Sequence, residues 1–172
     1  MFGVPVTNTS MSSAVEWIAE RARSDEKSTL NFVNAHCLNI AAKNIAYQRV
    51  LRQSDRLYPD GSGVALAMRL HGRRMTDNLN GTDLLPHLCE SAAARGSSLF
   101  LLGGHDGVAE QAAANLQKQF PGLGIAGTQH GYFEEADTDR IIGKINSSGA
   151  DILLVAMGVP HQELWIAAHR EK

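Results

Sequence analysis

Apolar and polar positions alternate along this chain at two periods. Ser98-Leu99-Phe100-Leu101-Leu102 and Asp151-Ile152-Leu153-Leu154-Val155-Ala156 are nearly unbroken apolar runs, which is how strands buried on both faces read. Thr29–Val33, Arg56–Tyr58 and Leu123–Thr128 are weaker strands, and Phe2–Val6 is a short apolar candidate. Between them the period changes to that of a helix. Thr9 or Ser10 caps a helix to about Ala22, with Val15, Ile18 and Ala19 on one face. Further helices are predicted from Asn34–Ile40, over Ala46–Ser54, and over Val64–Leu70, which stops at His71-Gly72. Thr82-Asp83 caps an amphipathic helix, Leu84–Ala94, that Gly96 ends. Val108–Phe120 runs to Pro121-Gly122, Ala136–Ser147 follows a loop, and a last helix begins near Glu163.

Strand and helix therefore alternate throughout, which predicts an α/β protein with a Rossmann-like, mostly parallel sheet covered by helices on both faces. At 172 residues the chain fits one domain, with no internal repeat or linker. A net charge of −2 gives no support for a nucleic-acid partner held by bulk charge. Cys37 and Cys89 lie far apart in predicted helices, without Cys-x-x-Cys spacing, and read as buried thiols. The N-terminus lacks the pattern of a signal peptide, and no apolar run reaches the roughly 18 residues that span a bilayer. That pattern predicts a cytosolic protein, or one that meets a membrane at its surface.

Ligands of open α/β sheets bind beyond the carboxyl ends of the strands. Four predicted strand-end loops have unusual composition: Asn34–His36, Pro59–Gly63, Gly103–Gly107 and Gly158–Glu163. In the second, Asp60 either caps the following helix or stands free as a general base, and Ser62 lies nearer the usual cap position. The third is a glycine-rich turn whose backbone N–H groups can hold an anion. It is not a full G-x-G-x-x-G, and no G-x-x-x-x-G-K-[ST] is present, so neither NAD nor ATP is supported and no cofactor is expected. Asp137-Thr138-Asp139 has D-x-D spacing, but at the start of an acidic helix it reads as dipole complementation. The scattered histidines show no metal-ligand spacing, and Gly61-Ser62-Gly63 is not a nucleophile elbow.

A set of ordered motifs goes further. Asn34-Ala35-His36, Pro59-Asp60-Gly61-Ser62-Gly63-Val64, Asn80-Gly81-Thr82-Asp83-Leu84 and Phe100-Leu101-Leu102-Gly103-Gly104 are followed by Gly107-Val108-Ala109-Glu110 and Pro121-Gly122-Leu123. His130-Gly131-Tyr132-Phe133 and Gly158-Val159-Pro160-His161-Gln162-Glu163-Leu164-Trp165 complete the series. In identity and order these resemble the WecG/TagA/CpsF glycosyltransferases, glycosyltransferase family 26, from about Phe2 to Trp165. The resemblance implies inverting, metal-independent transfer from a UDP-sugar to a polyprenyl-diphosphate-linked saccharide at the cytoplasmic membrane face, for cell-surface polysaccharide. It implies Asp60 as the base, with Asn34 and Gln162 lining its pocket. The remaining residues expected to bind substrate are His36, Gly61, Asn78, Thr82, Asp83, Gly103, Gly104, Tyr132 and Glu163.

Three departures bear on the donor sugar. Phe32 stands where many members have Thr, Asn78 is the nearest equivalent of an Arg, and His161 replaces the Lys of P-K-Q-E. N-acetylmannosamine and glucuronic acid both remain open, as does a homo-oligomer. The resemblance implies a further, Arg-bearing C-terminal segment that docks on the membrane, whereas this sequence stops in the helix after Trp165; weak or no turnover of the 172-residue chain is therefore expected. The runner-up is a non-catalytic nucleotide- or sugar-binding module. A nucleotide-sugar oxidoreductase would need a dinucleotide fingerprint that is missing.

Overall fold

A computed structural model describes residues 3–172. It is an α/β fold in which every paired strand runs parallel to its neighbour. The chain divides into two compact units, residues 1–86 with 159–171, and residues 87–158 with Lys172.

The first unit holds a two-stranded sheet, β1 (Leu30–Val33) against β2 (Arg56–Pro59), in register Leu30 to Arg56 through Val33 to Pro59. Around it lie α1 (Met11–Arg21), α2 (Ala35–Ala41), α3 (Ile45–Gln53), α4 (Ser62–Leu70) and α8 (His161–His169). Side-chain caps start three of these helices: Ser10 accepts from the Ser13 amide, Asn34 from Cys37 and Asn44 from Tyr47. Val4, Val33, Leu38, Tyr47, Leu51, Leu57, Val64 and Met68 form the core of this unit. The strand expected at Phe2–Val6 does not form over its described part, and Phe2 lies outside the described residues. Val4 nevertheless joins the core, and the Thr7 amide donates to Leu57 O at 2.8 Å.

α5 (Gly81–Arg95) carries the chain from the first unit into the second and accommodates Pro86. Its start lies three residues before the expected one. Asn80, not Thr82 or Asp83, is the capping residue: its Oδ1 accepts from the Asp83 amide at 2.8 Å, and its Nδ2 donates to Asp83 Oδ2 at 2.6 Å.

The second unit is a three-stranded parallel sheet in the order β4 (Gly124–Gln129), β3 (Ser98–Gly103), β5 (Ile152–Ala156). α6 (Val108–Gln119), a 3-10 turn (Glu135–Asp137) and α7 (Thr138–Ser147) belong to it. The strongest apolar run becomes its central strand, with Leu99 and Phe100 fully buried, while β5 is only half-buried. Both cysteines are buried and free, and burial pushes the Cys89 thiol up to about 11. No helix among the described residues is long and apolar enough to cross a membrane.

Candidate active site

The centre of the first unit's site is the turn that leaves β2. Parallel pairing of β1 with β2 brings the two strand ends together, so the Asn34 and Asp60 loops become neighbours. The Asp60 amide donates to Val33 O at 2.9 Å, extending the ladder by one bond. Asn34 then does two jobs with one amide group. Its Oδ1 accepts from the Cys37 N–H at 3.0 Å, capping α2, and its Nδ2 donates to Asp60 Oδ2 at 3.3 Å. Because the carbonyl is committed to the helix, the NH₂ must face the carboxylate, which fixes one of its oxygens.

Asp60 does not cap α4. The N-cap is Gly61, at φ +85°, and it makes no side-chain capping bond. A side chain would be strained at that φ, so glycine is what lets the chain turn away from the carboxylate and enter the helix directly. The capping alternative for Asp60 is thereby removed, and so is the cap position expected for Ser62, which is the first helical residue. Gly63 allows α4 to approach α2 closely, since a Cβ there would sit 3.0 Å from the Ala35 Cβ.

Asn78 locks the turn from the other side. Its Oδ1 accepts from the Gly61 amide at 2.7 Å, and the neighbouring Leu79 amide donates to Pro59 O at 3.1 Å. Sequence reasoning placed Asn78 where the family has a cation and so missed this role; an amide two residues before a capping Asn was the available signal. His36 is exposed in the first turn of α2 rather than in a loop, and Thr82 is exposed in the first turn of α5. Asp83 is tied to Asn80 as described.

α8 places the last pair of expected residues very differently. Gln162 is half-buried and donates from Nε2 to Glu163 Oε1 at 3.1 Å. Glu163 is only 1% exposed, its Oε2 has no hydrogen-bond partner, and burial raises its carboxyl above the usual range. The Tyr47 hydroxyl, also buried without a hydrogen-bond partner, is raised by burial and by the nearby Glu163 charge. Glu163 was expected to touch substrate, yet its carboxyl lies inside this unit against α3.

Gly103, Gly104 and Tyr132 lie in the second unit. Gly103 is at φ +151°, and a Cβ there would come within 2.2 Å of Ala156 O, so β3 and β5 meet only over a glycine. The Gly104 amide donates to Ala156 O at 3.2 Å, and Gly104 O accepts from Gly131 N at 2.8 Å. These bonds bring the glycine turn beside the His130–Phe133 loop. Tyr132, 68% exposed, stacks flat on His105, with ring centroids 4.1 Å apart and planes 4° from parallel. α6 begins at Gly107 with no side-chain cap, but the Val108 amide donates to His105 O at 3.1 Å and the Glu110 carboxylate lies in the same first turn. In the D-x-D segment Asp137 pairs with Arg140 at 2.9 Å and Asp139 with Lys172 at 2.7 Å.

Asp60, free of capping duty, thus stands at the carboxyl end of a parallel strand pair, the edge at which α/β sheets bind their ligands. The family model for the glycosyl transferase WecG/TagA/CpsF family matches residues 1–172, and the chain belongs to that family. It is 32% identical over 130 residues to the N-acetylglucosaminyldiphosphoundecaprenol N-acetyl-beta-D-mannosaminyltransferase of Bacillus spizizenii, covering 76% of this chain and 50% of that protein. Proteins of the same name from Bacillus subtilis and Staphylococcus aureus are 28% and 29% identical, with 97% and 100% of this chain aligned to 65% and 68% of theirs. The chain thus spans between half and about two thirds of the length of these relatives.

Proposed function

We propose that this chain carries the catalytic carboxylate of an inverting glycosyltransferase. The enzyme passes N-acetylmannosamine or a similar sugar from a UDP-sugar to a polyprenyl-diphosphate-linked saccharide. The observation that carries the reading is the Asp60 turn: the carboxylate is released from capping by Gly61 and oriented by Asn34. Inversion needs one base and attack from the face opposite the leaving group. Asp60 takes the proton of the acceptor hydroxyl as that oxygen bonds to the anomeric carbon. The bond from that carbon to the UDP oxygen breaks, and UDP leaves with the electron pair. No second carboxylate is required, unlike the paired groups of a retaining glycosidase.

In the second unit, the exposed Tyr132 ring stacked on His105 offers a flat aromatic face of the kind that planar rings stack on. The relatives' names support the acceptor and the sugar class, and Phe32, Asn78 and His161 are the positions that depart from the family pattern and bear on the donor. The test is incubation with a panel of UDP-sugars and an N-acetylglucosaminyl-diphosphate lipid, reading the product's anomeric configuration by NMR. An inverted product supports the reading. A retained configuration, or UDP bound by calorimetry without any sugar transfer even when the relatives' C-terminal segment is joined to the chain, replaces it with a different mechanism or with a binding module.

A further inference from the structure

We propose that the outer face of α4 and the turn after it form a docking surface for an anionic lipid bilayer. α4 is two-sided: Val64 and Met68 are buried in the first unit's core, while Leu66 and Leu70 are 59% and 79% exposed. Spaced four apart, those two leucines lie on one face, with Arg69 exposed beside them. The helix ends at Gly72, φ +71°, where the Gly72 amide donates to Arg69 O at 3.0 Å and the Arg73 amide to Met68 O at 2.9 Å. This left-handed ending delivers Arg73 and Arg74, both exposed, at the leucine end of the helix. None of the three guanidinium groups has an ion-pair or hydrogen-bond partner among the described residues.

Charge selects the occupant. No Asp or Glu occurs from Gly61 to Thr76, although the whole chain is net −2. The next carboxylate, Asp77, is occupied by the Met11 amide at 2.7 Å. Exposed leucines ringed by uncompensated arginines fit an interface of acyl chains and phosphate headgroups. A second copy meeting this face two-fold would set arginines against arginines, which disfavours it. The inference deepens the reading of a lipid-linked acceptor and rests on it for its purpose. α4 starts one residue after the base turn and is nine residues long, so the surface lies within roughly 13 Å of it along the helix axis.

The experiment is co-sedimentation of the 172-residue chain with vesicles of phosphatidylcholine, with or without phosphatidylglycerol. Binding should require phosphatidylglycerol and weaken with salt. Arg69→Gln/Arg73→Gln/Arg74→Gln should weaken it on the order of 100-fold, at about fivefold per arginine. Leu66→Ser/Leu70→Ser should cost roughly tenfold or more at unchanged charge. UDP affinity by calorimetry and transfer to a short-chain, water-soluble acceptor should not change in either variant. If vesicle binding behaves in this way but no UDP is bound, the surface stands and the functional reading fails. Binding equal on pure phosphatidylcholine, or undiminished in the arginine variant, overturns the surface. So does a solution dimer that Leu66→Ser/Leu70→Ser dissolves, which would make α4 an interface between copies.

Discussion

Asp60 and Glu163 are two carboxyl groups of one unit, both in family motifs, and the fold treats them oppositely. Asp60 leaves a strand end, half-exposed, with one oxygen held by Asn34 at 3.3 Å. Glu163 enters a helix, is almost wholly buried, and leaves an oxygen unpaired beside Tyr47. The difference teaches that the motif's chemistry does not follow from the residue type. A carboxylate that must take a proton from a hydroxyl needs access and an oriented lone pair. A carboxyl shut in the core can do neither; its one bond among the described residues is from Gln162, its neighbour in α8.

The sharpest way to break this comparison is to remove each charge in turn. Asp60→Asn should lower turnover by about 10²–10⁴. Asn34→Asp retains an α2 cap but replaces the donor to Asp60 with a like charge, and turnover should fall on the order of tenfold to 100-fold, measured as initial sugar transfer. If Asn34→Asp were silent, Asp60 would not depend on that amide.

Stability should respond to the other carboxyl. Burial raises the folded Glu163 carboxyl above its unfolded value, so the native state binds the extra proton. Its burial penalty is therefore absent below the unfolded pKa and grows as pH rises towards the raised value. Glu163→Gln should flatten that decline and stabilise the protein by about 1–3 kcal/mol on its alkaline side, read from urea midpoints across pH. An effect of similar size and opposite sign is expected at Gly103→Ala, whose Cβ would strike Ala156 O; about 1–3 kcal/mol of stability should be lost. Gly61→Ala, with open space around it, should cost only about 1–2 kcal/mol from its positive φ.

Much of the fold was legible because periodicity reports burial. The unbroken run at Leu99–Leu102 became the central strand of the second unit, and Ser10 capped α1 as its side chain suggested. The Phe2–Val6 expectation failed over its described residues because an apolar run predicts burial and not pairing: Val4 is buried, and no strand forms beside β2. α5 began early because Asn80 competes successfully with Thr82 and Asp83 for the cap, and the Asn80–Asp83 reciprocity is invisible to a position-by-position reading. Within the site, the neighbourhood of Asn34 and Asp60 followed from parallel strands. The burial of Glu163 did not, since its partner surface comes from α3, more than a hundred residues earlier in the chain.

The central claim is that Asp60 is the base and that Glu163 is structural. It is tested most directly by single-turnover sugar transfer with Asp60→Asn and Glu163→Gln measured side by side, alongside UDP affinity. The account predicts transfer lowered by about 10²–10⁴ in Asp60→Asn at little-changed UDP affinity, and within about threefold of wild type in Glu163→Gln. Near-normal transfer by Asp60→Asn, or a collapse in Glu163→Gln with stability intact, would contradict it.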